Sequence, residues 1–126
     1  MYSEEVEKDV ILSCLKDEKF MGEVYQILSP NHFNNLPYKW IYWVNKEYFR
    51  KYSKLIDKVA IVNELRKSKK LSPKKKVLYK KISEDLLSQT PKSKNYSKDQ
   101  IVEYVSDVSF IQSLDEASEV IEKGDI

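Results

Sequence analysis

Residues 97–124 read SKDQIVEYVSDVSFIQSLDEASEVIEKG, and this stretch decides the fold class. Ser97 and Gln100 have the spacing of a capping box, and Asp99 adds a negative charge where the helix dipole favours it. Apolar residues then recur mostly every three or four positions: Ile101, Tyr104, Val105, Val108, Ile111, Leu114, Ala117 and Ile121. Because Gly124 suits a helix end, we predict a helix over Lys98 to Lys123, about 39 Å long.

Upstream of this helix, prolines and polar cap residues divide the chain into shorter helices. The 126 residues include only two glycines, and all four prolines stand at predicted boundaries. We expect helices over about 4–16, 18–28, 37–52, 58–68 and 73–88, and a loop over Ser88 to Tyr96. Asp57 and Ser72 are the expected caps of the fourth and fifth helices. The prediction is an all-α domain with a globular head at 1–96 and one long helix at 97–126.

The apolar positions of the helices predict which faces are buried. The fourth helix is expected to bury Val59, Val62 and Leu65, and the fifth Leu78, Ile82 and Leu86. The third helix carries aromatic residues on more than one face, which is typical of a core helix that also offers a partner surface. Cys14 lies among apolar residues and is expected to be a buried structural thiol.

The long helix is too long for the head to cover. Part of its apolar stripe therefore requires a partner, and we predict that it offers another chain Tyr104, Val108, Ile111 and Leu114.

The sequence contains no recognisable catalytic constellation. Phosphate-binding loops need glycines that this chain lacks, and one histidine with one cysteine cannot supply a usual zinc site. His32 precedes Phe33 in a predicted turn, where a capping or surface role is favoured over catalysis. No catalytic residue, metal or cofactor is expected. Since no apolar run reaches the roughly 20 residues of a membrane span, we expect a cytoplasmic protein.

Charge is sharply segregated along the chain. Residues 66–98 carry twelve basic and two acidic side chains, whereas residues 99–126 carry one basic and eight acidic. The lysines that would contact a nucleic acid are Lys69, Lys70, Lys74, Lys75 and Lys76. Lysines with one arginine and few interleaved aromatics give little base readout, so a solvated rim remains an equal alternative.

With the helices laid out, the chain resembles the N-terminal domain of DnaB-family replicative helicases, especially those of large tailed phages. The resemblance covers most of residues 6–123 and is a pattern of spaced apolar positions. The matching segments are Asp9 to Leu15 with Phe20 and Val24, Ile27 to Phe33, Lys39 to Ile41 with Tyr48 and Tyr52, Ile56 to Leu65, and Ile101 to Ile121. Two segments depart from the family: Leu71 to Lys74 replaces glycines, and Phe110 to Ser113 replaces arginines of bacterial members.

The resemblance implies a specific role. In that family the N-terminal domains pair and form a collar on a hexameric ring, primase docks on the collar, and ATP and Mg²⁺ are used by a motor domain further along the chain. The long helix would be the first arm of a helical hairpin. The expected partners are a second copy, as a dimer or a hexameric ring, and a primase or helicase loader. The chain would be a non-catalytic fragment or a stand-alone relative, and the uncovered stripe favours a fragment.

Two other functions stay open at this point. One is a stand-alone nucleic-acid-binding protein that uses the lysine-rich residues 66–98. The other is a small phage adaptor or inhibitor that mimics a helicase collar. Whether the reading frame continues into a P-loop domain would distinguish the last from a helicase fragment.

Overall fold

Side-chain caps define where the helices begin. The computed structural model describes residues 4–90 and 97–122, with the side chains of the last helix as far as residue 116. The helices are α1 Glu4–Lys16, α2 Glu18–Val24, α3 Leu36–Tyr52, α4 Lys58–Lys67, α5 Pro73–Ser88 and α6 Lys98–Glu122, with a 3₁₀ turn at Pro30–His32. The described residues contain no strand, so the all-α prediction is confirmed.

The predicted caps are present. The side-chain oxygens of Asp57 and Ser72 accept hydrogen bonds from the third residue of α4 and of α5, at 2.8 and 3.2 Å. Ser97 and Gln100 form the reciprocal capping box at the start of α6, with distances of 2.8 and 3.2 Å. Gly124 and most of the predicted 88–96 loop lie outside the described residues, as do the side chains of Ala117 and Ile121.

Two predicted boundaries need correction. Helix α2 ends at Val24 rather than near Leu28, and the chain closes a turn in which the Ile27 and Leu28 N–H groups share the Val24 carbonyl. Ser29, which precedes Pro30, follows this turn in extended backbone with φ −109° and ψ 153°. Helix α3 begins at Leu36, one residue before Pro37, because the side chain of Asn35 caps it.

The core forms around α1 and α3. Helix α1 packs against α2, α3 and α5, and α3 also contacts α4 and the 3₁₀ turn. Val10, Ile11 and Cys14 are fully buried on α1, and Ile41 and Tyr42 are fully buried on α3. The prediction that Cys14 is a buried free thiol is therefore confirmed.

Two buried polar side chains hold the ends of these helices in place. Asn45 on α3 is fully buried, donates to the Cys14 carbonyl at 3.0 Å and accepts from the Ile56 N–H at 3.0 Å. Glu7 on α1 accepts from the backbone N–H of Asn34 and of Asn35, just before α3. Each side chain supplies a partner to backbone groups that no helix satisfies.

The buried faces of α4 and α5 differ from the prediction by about one residue. Leu65 and Leu86 are buried as expected, and Val62 and Ile82 are half-buried. The predicted burial of Val59 and Leu78 is wrong, because their side chains are 70% and 49% exposed. Ile61 and Tyr79 are buried in the core instead. Tyr79 is drawn inward by the Trp40 ring of α3, at 5.9 Å between ring centroids.

Helix α6 is the longest element and packs against α2 and the 3₁₀ turn. Its 25 residues span about 37 Å at about 1.5 Å per residue. Among the described residues, no helix is both long and apolar enough to cross a membrane.

Candidate functional site

The inner face of α6 belongs to the core of the domain. Ile101, Tyr104 and Val108 are 0%, 2% and 5% exposed. The Tyr104 hydroxyl donates to the His32 carbonyl at 2.6 Å, and the Phe33 ring lies 6.5 Å from the Tyr104 ring. The prediction that Tyr104 and Val108 face another chain is therefore wrong, because the 3₁₀ turn and its neighbours cover them.

The outer face of α6 retains apolar surface. Val102, Phe110 and Leu114 are 44%, 66% and 51% exposed. Ile111 is half-buried, so Ile111 and Leu114 keep accessible surface while the other two predicted interface residues do not. The exposed apolar surface of α6 therefore lies at Phe110 and Leu114 rather than at Tyr104 and Val108.

The 3₁₀ turn fixes α6 to the head. The Ser29 N–H donates to His32 Nδ1 at 2.9 Å. His32 is therefore a capping residue, one of the two roles predicted for it from the sequence. Gln112 Nε2 donates to the Asn31 carbonyl at 2.7 Å, and Ser109 Oγ lies 3.5 Å from His32 Nε2. Burial, and next the positive charge of Lys46, lower the pKa of His32. Because Nδ1 accepts the hydrogen bond from the Ser29 N–H, it carries no proton itself, and this arrangement requires the neutral imidazole.

The predicted nucleic-acid lysines surround the connection between α4 and α5. Lys69 and Lys70 lie in the connection, and Lys74, Lys75 and Lys76 form the first turn of α5. Four are exposed and Lys76 is half-buried. Positive charge at a helix start is unfavourable by about 0.3–1 kcal/mol per side chain at low salt, and the first turn of α5 contains no acidic residue to offset it.

An apolar groove opens beside these lysines, between α3 and the α4–α5 connection. It encloses about 520 Å³ and is lined by Trp40, Trp43, Glu64, Lys67, Ser68, Lys69, Lys70 and Leu71. Trp43 is 47% exposed, and Trp40 is half-buried beside Tyr79. We call this depression the tryptophan groove.

The tryptophan groove continues along α3 toward the 3₁₀ turn. The adjoining section, of about 330 Å³, shares Trp40, Trp43 and Leu71 and adds Pro30, Leu36, Lys39, Lys75 and Tyr79. Lys67, Lys69 and Lys70 thus line one section, and Lys39 and Lys75 the next. Glu64 is the acidic residue among these lining groups.

Sequence reasoning missed the tryptophan groove because its parts are distant along the chain. The lysine block has few aromatics within it, which weakened the prediction of nucleic-acid binding. The fold supplies aromatics from α3, about 30 residues earlier, and places them against Lys67, Lys69 and Lys70. The signal available in the sequence was the surplus of aromatic residues in α3, more than one helix face can bury.

Comparison with protein families identifies a match over most of the chain. A family model described as DnaB-like helicase N terminal domain matches residues 1–109, which reach from α1 into the first half of α6. Comparison with curated proteins and with solved structures gives no match.

Proposed function

The chain belongs to the DnaB-like helicase N-terminal domain family, and from this we propose that it is a non-catalytic oligomerisation and docking domain of a replicative DNA helicase. Its first partner is a second copy of the same domain, in a dimer or a hexameric ring. A primase or helicase loader docks on the resulting assembly. Unwinding itself belongs to an ATP-dependent motor domain outside these residues.

The observation that carries this proposal is the outer face of α6. Phe110 and Leu114 are four residues apart, so they lie on neighbouring positions of one helix face. Both are more than half exposed. Two large apolar side chains facing water at adjacent positions are typical of an interaction surface. Ile111 beside them is half-buried and would be covered further by the same partner.

The state of the reactive side chains supports a non-catalytic role. Cys14 is fully buried, and desolvation raises the pKa of its thiol, so the nucleophilic thiolate is strongly disfavoured. His32 Nδ1 is occupied by the Ser29 N–H. These two residues are the chain's one cysteine and one histidine, and each has a structural role.

Sedimentation velocity over a range of protein concentrations tests the assembly proposal. We expect the wild-type chain to form dimers or larger species, and the double variant Phe110→Asp/Leu114→Asp to sediment as a monomer. Val59→Asp/Val77→Asp is the matched control, because it places the same two charges at apolar residues of α4 and α5 that are 70% and 71% exposed. Circular dichroism would show whether all three proteins retain their helices.

A wild-type chain that remains monomeric at the highest concentration would overturn the proposed oligomerisation. So would a double variant that assembles as the wild type does. Docking is tested separately, by titrating primase or loader against the wild-type assembly and against the double variant.

A further inference from the structure

The tryptophan groove has no part in the assembly through α6, and we propose that it binds single-stranded nucleic acid. The bases would stack on Trp43 and Trp40, and the phosphates would contact the lysines along the rim. This inference does not rest on the proposed oligomerisation, because the tryptophan groove is lined by α3, α4, α5, the α4–α5 connection and Pro30, whereas the proposed assembly uses the outer face of α6.

The stacking surface consists of the only two tryptophans in the chain. Trp40 and Trp43 are three residues apart on α3, so they are neighbours on one helix face, separated by about 4.5 Å along the axis. Trp43 presents nearly half of its surface to solvent, and Trp40 is held from behind by the Tyr79 ring at 5.9 Å. A ring fixed in this way is a preorganised platform, and base–aromatic stacking tolerates every base.

The charged groups are placed on both sections of the tryptophan groove. Lys67, Lys69 and Lys70 line the first section, and Lys39 and Lys75 line the second. Long, flexible lysines suit phosphates spaced along a strand, whereas base recognition requires the planar fork of arginine or amide groups. The lysines in the first turn of α5, which are unfavourable for the free protein, add to the same positive field.

These features favour a nucleic acid over an acidic protein segment. An acidic protein segment would pair with the lysines, but its carboxylate side chains offer no planar base that can stack on the indole rings. Duplex DNA is disfavoured as well, because paired bases do not expose their faces to an aromatic platform. We therefore expect binding that is specific for single strands, tolerant of sequence and sensitive to salt.

Tryptophan fluorescence gives a direct test, because both tryptophans line the proposed site. An oligothymidylate of about 12 nucleotides is titrated into the full chain while tryptophan is excited selectively. We expect quenching that saturates, and an affinity whose logarithm falls with the logarithm of salt concentration by about 0.7 for each phosphate contacted. A duplex of the same length should quench far less.

Two variants, each paired with a control variant, separate stacking from charge, with binding measured by the anisotropy of a labelled oligonucleotide. Trp43→Ala should weaken binding by about 5- to 150-fold, and Trp43→Phe should retain most of the affinity. Lys70→Glu should weaken binding and lower the salt slope. Lys19→Glu makes the same change of charge on an exposed residue of α2, and should do neither.

Two further probes distinguish the alternatives. An abasic oligonucleotide keeps the phosphates and lacks the bases, so it should bind weakly; if it binds as tightly as oligothymidylate, the stacking is refuted. Tighter binding of polyglutamate than of oligothymidylate would overturn the proposal in favour of an acidic protein ligand. The sedimentation of Trp43→Ala should match the wild type, which keeps a failure here distinct from a failure of the assembly through α6.

Discussion

Neighbouring residues on α3 and on α6 have opposite surroundings. On α3, Tyr42 is fully buried and donates to the Leu28 carbonyl at 2.7 Å, while Trp43 beside it is 47% exposed. On α6, Ile101 is fully buried and Val102 is 44% exposed. Each helix thus uses one apolar face to build the domain and keeps another on the surface. The difference separates residues that determine stability from residues available for binding.

The largest effect should come from the inner face of α6. Ile101→Ala should lower the free energy of unfolding by about 2–5 kcal/mol, because a fully buried branched side chain leaves a cavity. Val102→Ala should change it by no more than about 0.5 kcal/mol. Urea denaturation of both variants checks this pair. Equal losses would contradict the docking of α6 on the head.

The next-largest loss of stability should come from replacing the buried amide of Asn45. Asn45→Leu removes the partners of the Cys14 carbonyl and the Ile56 N–H, and should cost about 2–4 kcal/mol, because each buried group left unpaired costs about 1–3 kcal/mol. Asn63→Leu makes the same change at an exposed position of α4 and should be nearly neutral. A thermal melt of Asn45→Leu that matches the wild type would show that these two bonds contribute little.

A smaller difference in the free energy of unfolding is expected between Tyr42→Phe, which removes a buried hydroxyl, and Trp43→Phe, which changes an exposed ring. Tyr42→Phe should cost about 1 kcal/mol, because the Leu28 carbonyl loses one donor and keeps the Lys46 Nζ at 3.1 Å. Trp43→Phe should leave the free energy of unfolding unchanged within about 0.5 kcal/mol. If Trp43→Phe is the more destabilising change, Trp43 has a structural role and the comparison between the two faces fails.

The smallest effect should be a dependence of stability on pH through His32. Burial and Lys46 lower its pKa in the folded state, so the unfolded chain binds the proton more readily. Stability should therefore be complete above about pH 6.5 and should fall as the pH decreases below that value. His32→Gln, whose amide oxygen would accept the same Ser29 N–H, should remove this dependence. Melting temperatures of both proteins between about pH 5 and 7.5 provide the test.

Helix starts were predictable because their determinants are local. Asp57, Ser72 and Ser97 act on the backbone three residues away, and the structure has each of them in that role. The buried faces of α4 and α5 were less predictable. Apolar residues occupy adjacent positions in both helices, so the choice of Ile61 and Tyr79 over Val59 and Leu78 depends on where α3 packs.

The interaction surfaces were the least predictable part. Tyr104 and Val108 belong to the same stripe as Leu114, and only the position of the 3₁₀ turn decides which of them is covered. The tryptophan groove joins Trp43 to Lys69 and Lys70 through tertiary structure alone. The spacing of residues within one helix shows neither where the 3₁₀ turn packs on α6 nor which lysines lie beside Trp43.

The side-chain caps also have a consequence for folding kinetics. The capping side chain stands directly before α2, the 3₁₀ turn, α3, α4, α5 and α6: Asp17, Ser29, Asn35, Asp57, Ser72 and Ser97. Each start is thus encoded within about four residues and requires no loop closure between distant segments. Helical domains rich in local contacts fold in microseconds to milliseconds. We expect these helix starts to form early, so that an emerging chain has its helix boundaries before its core.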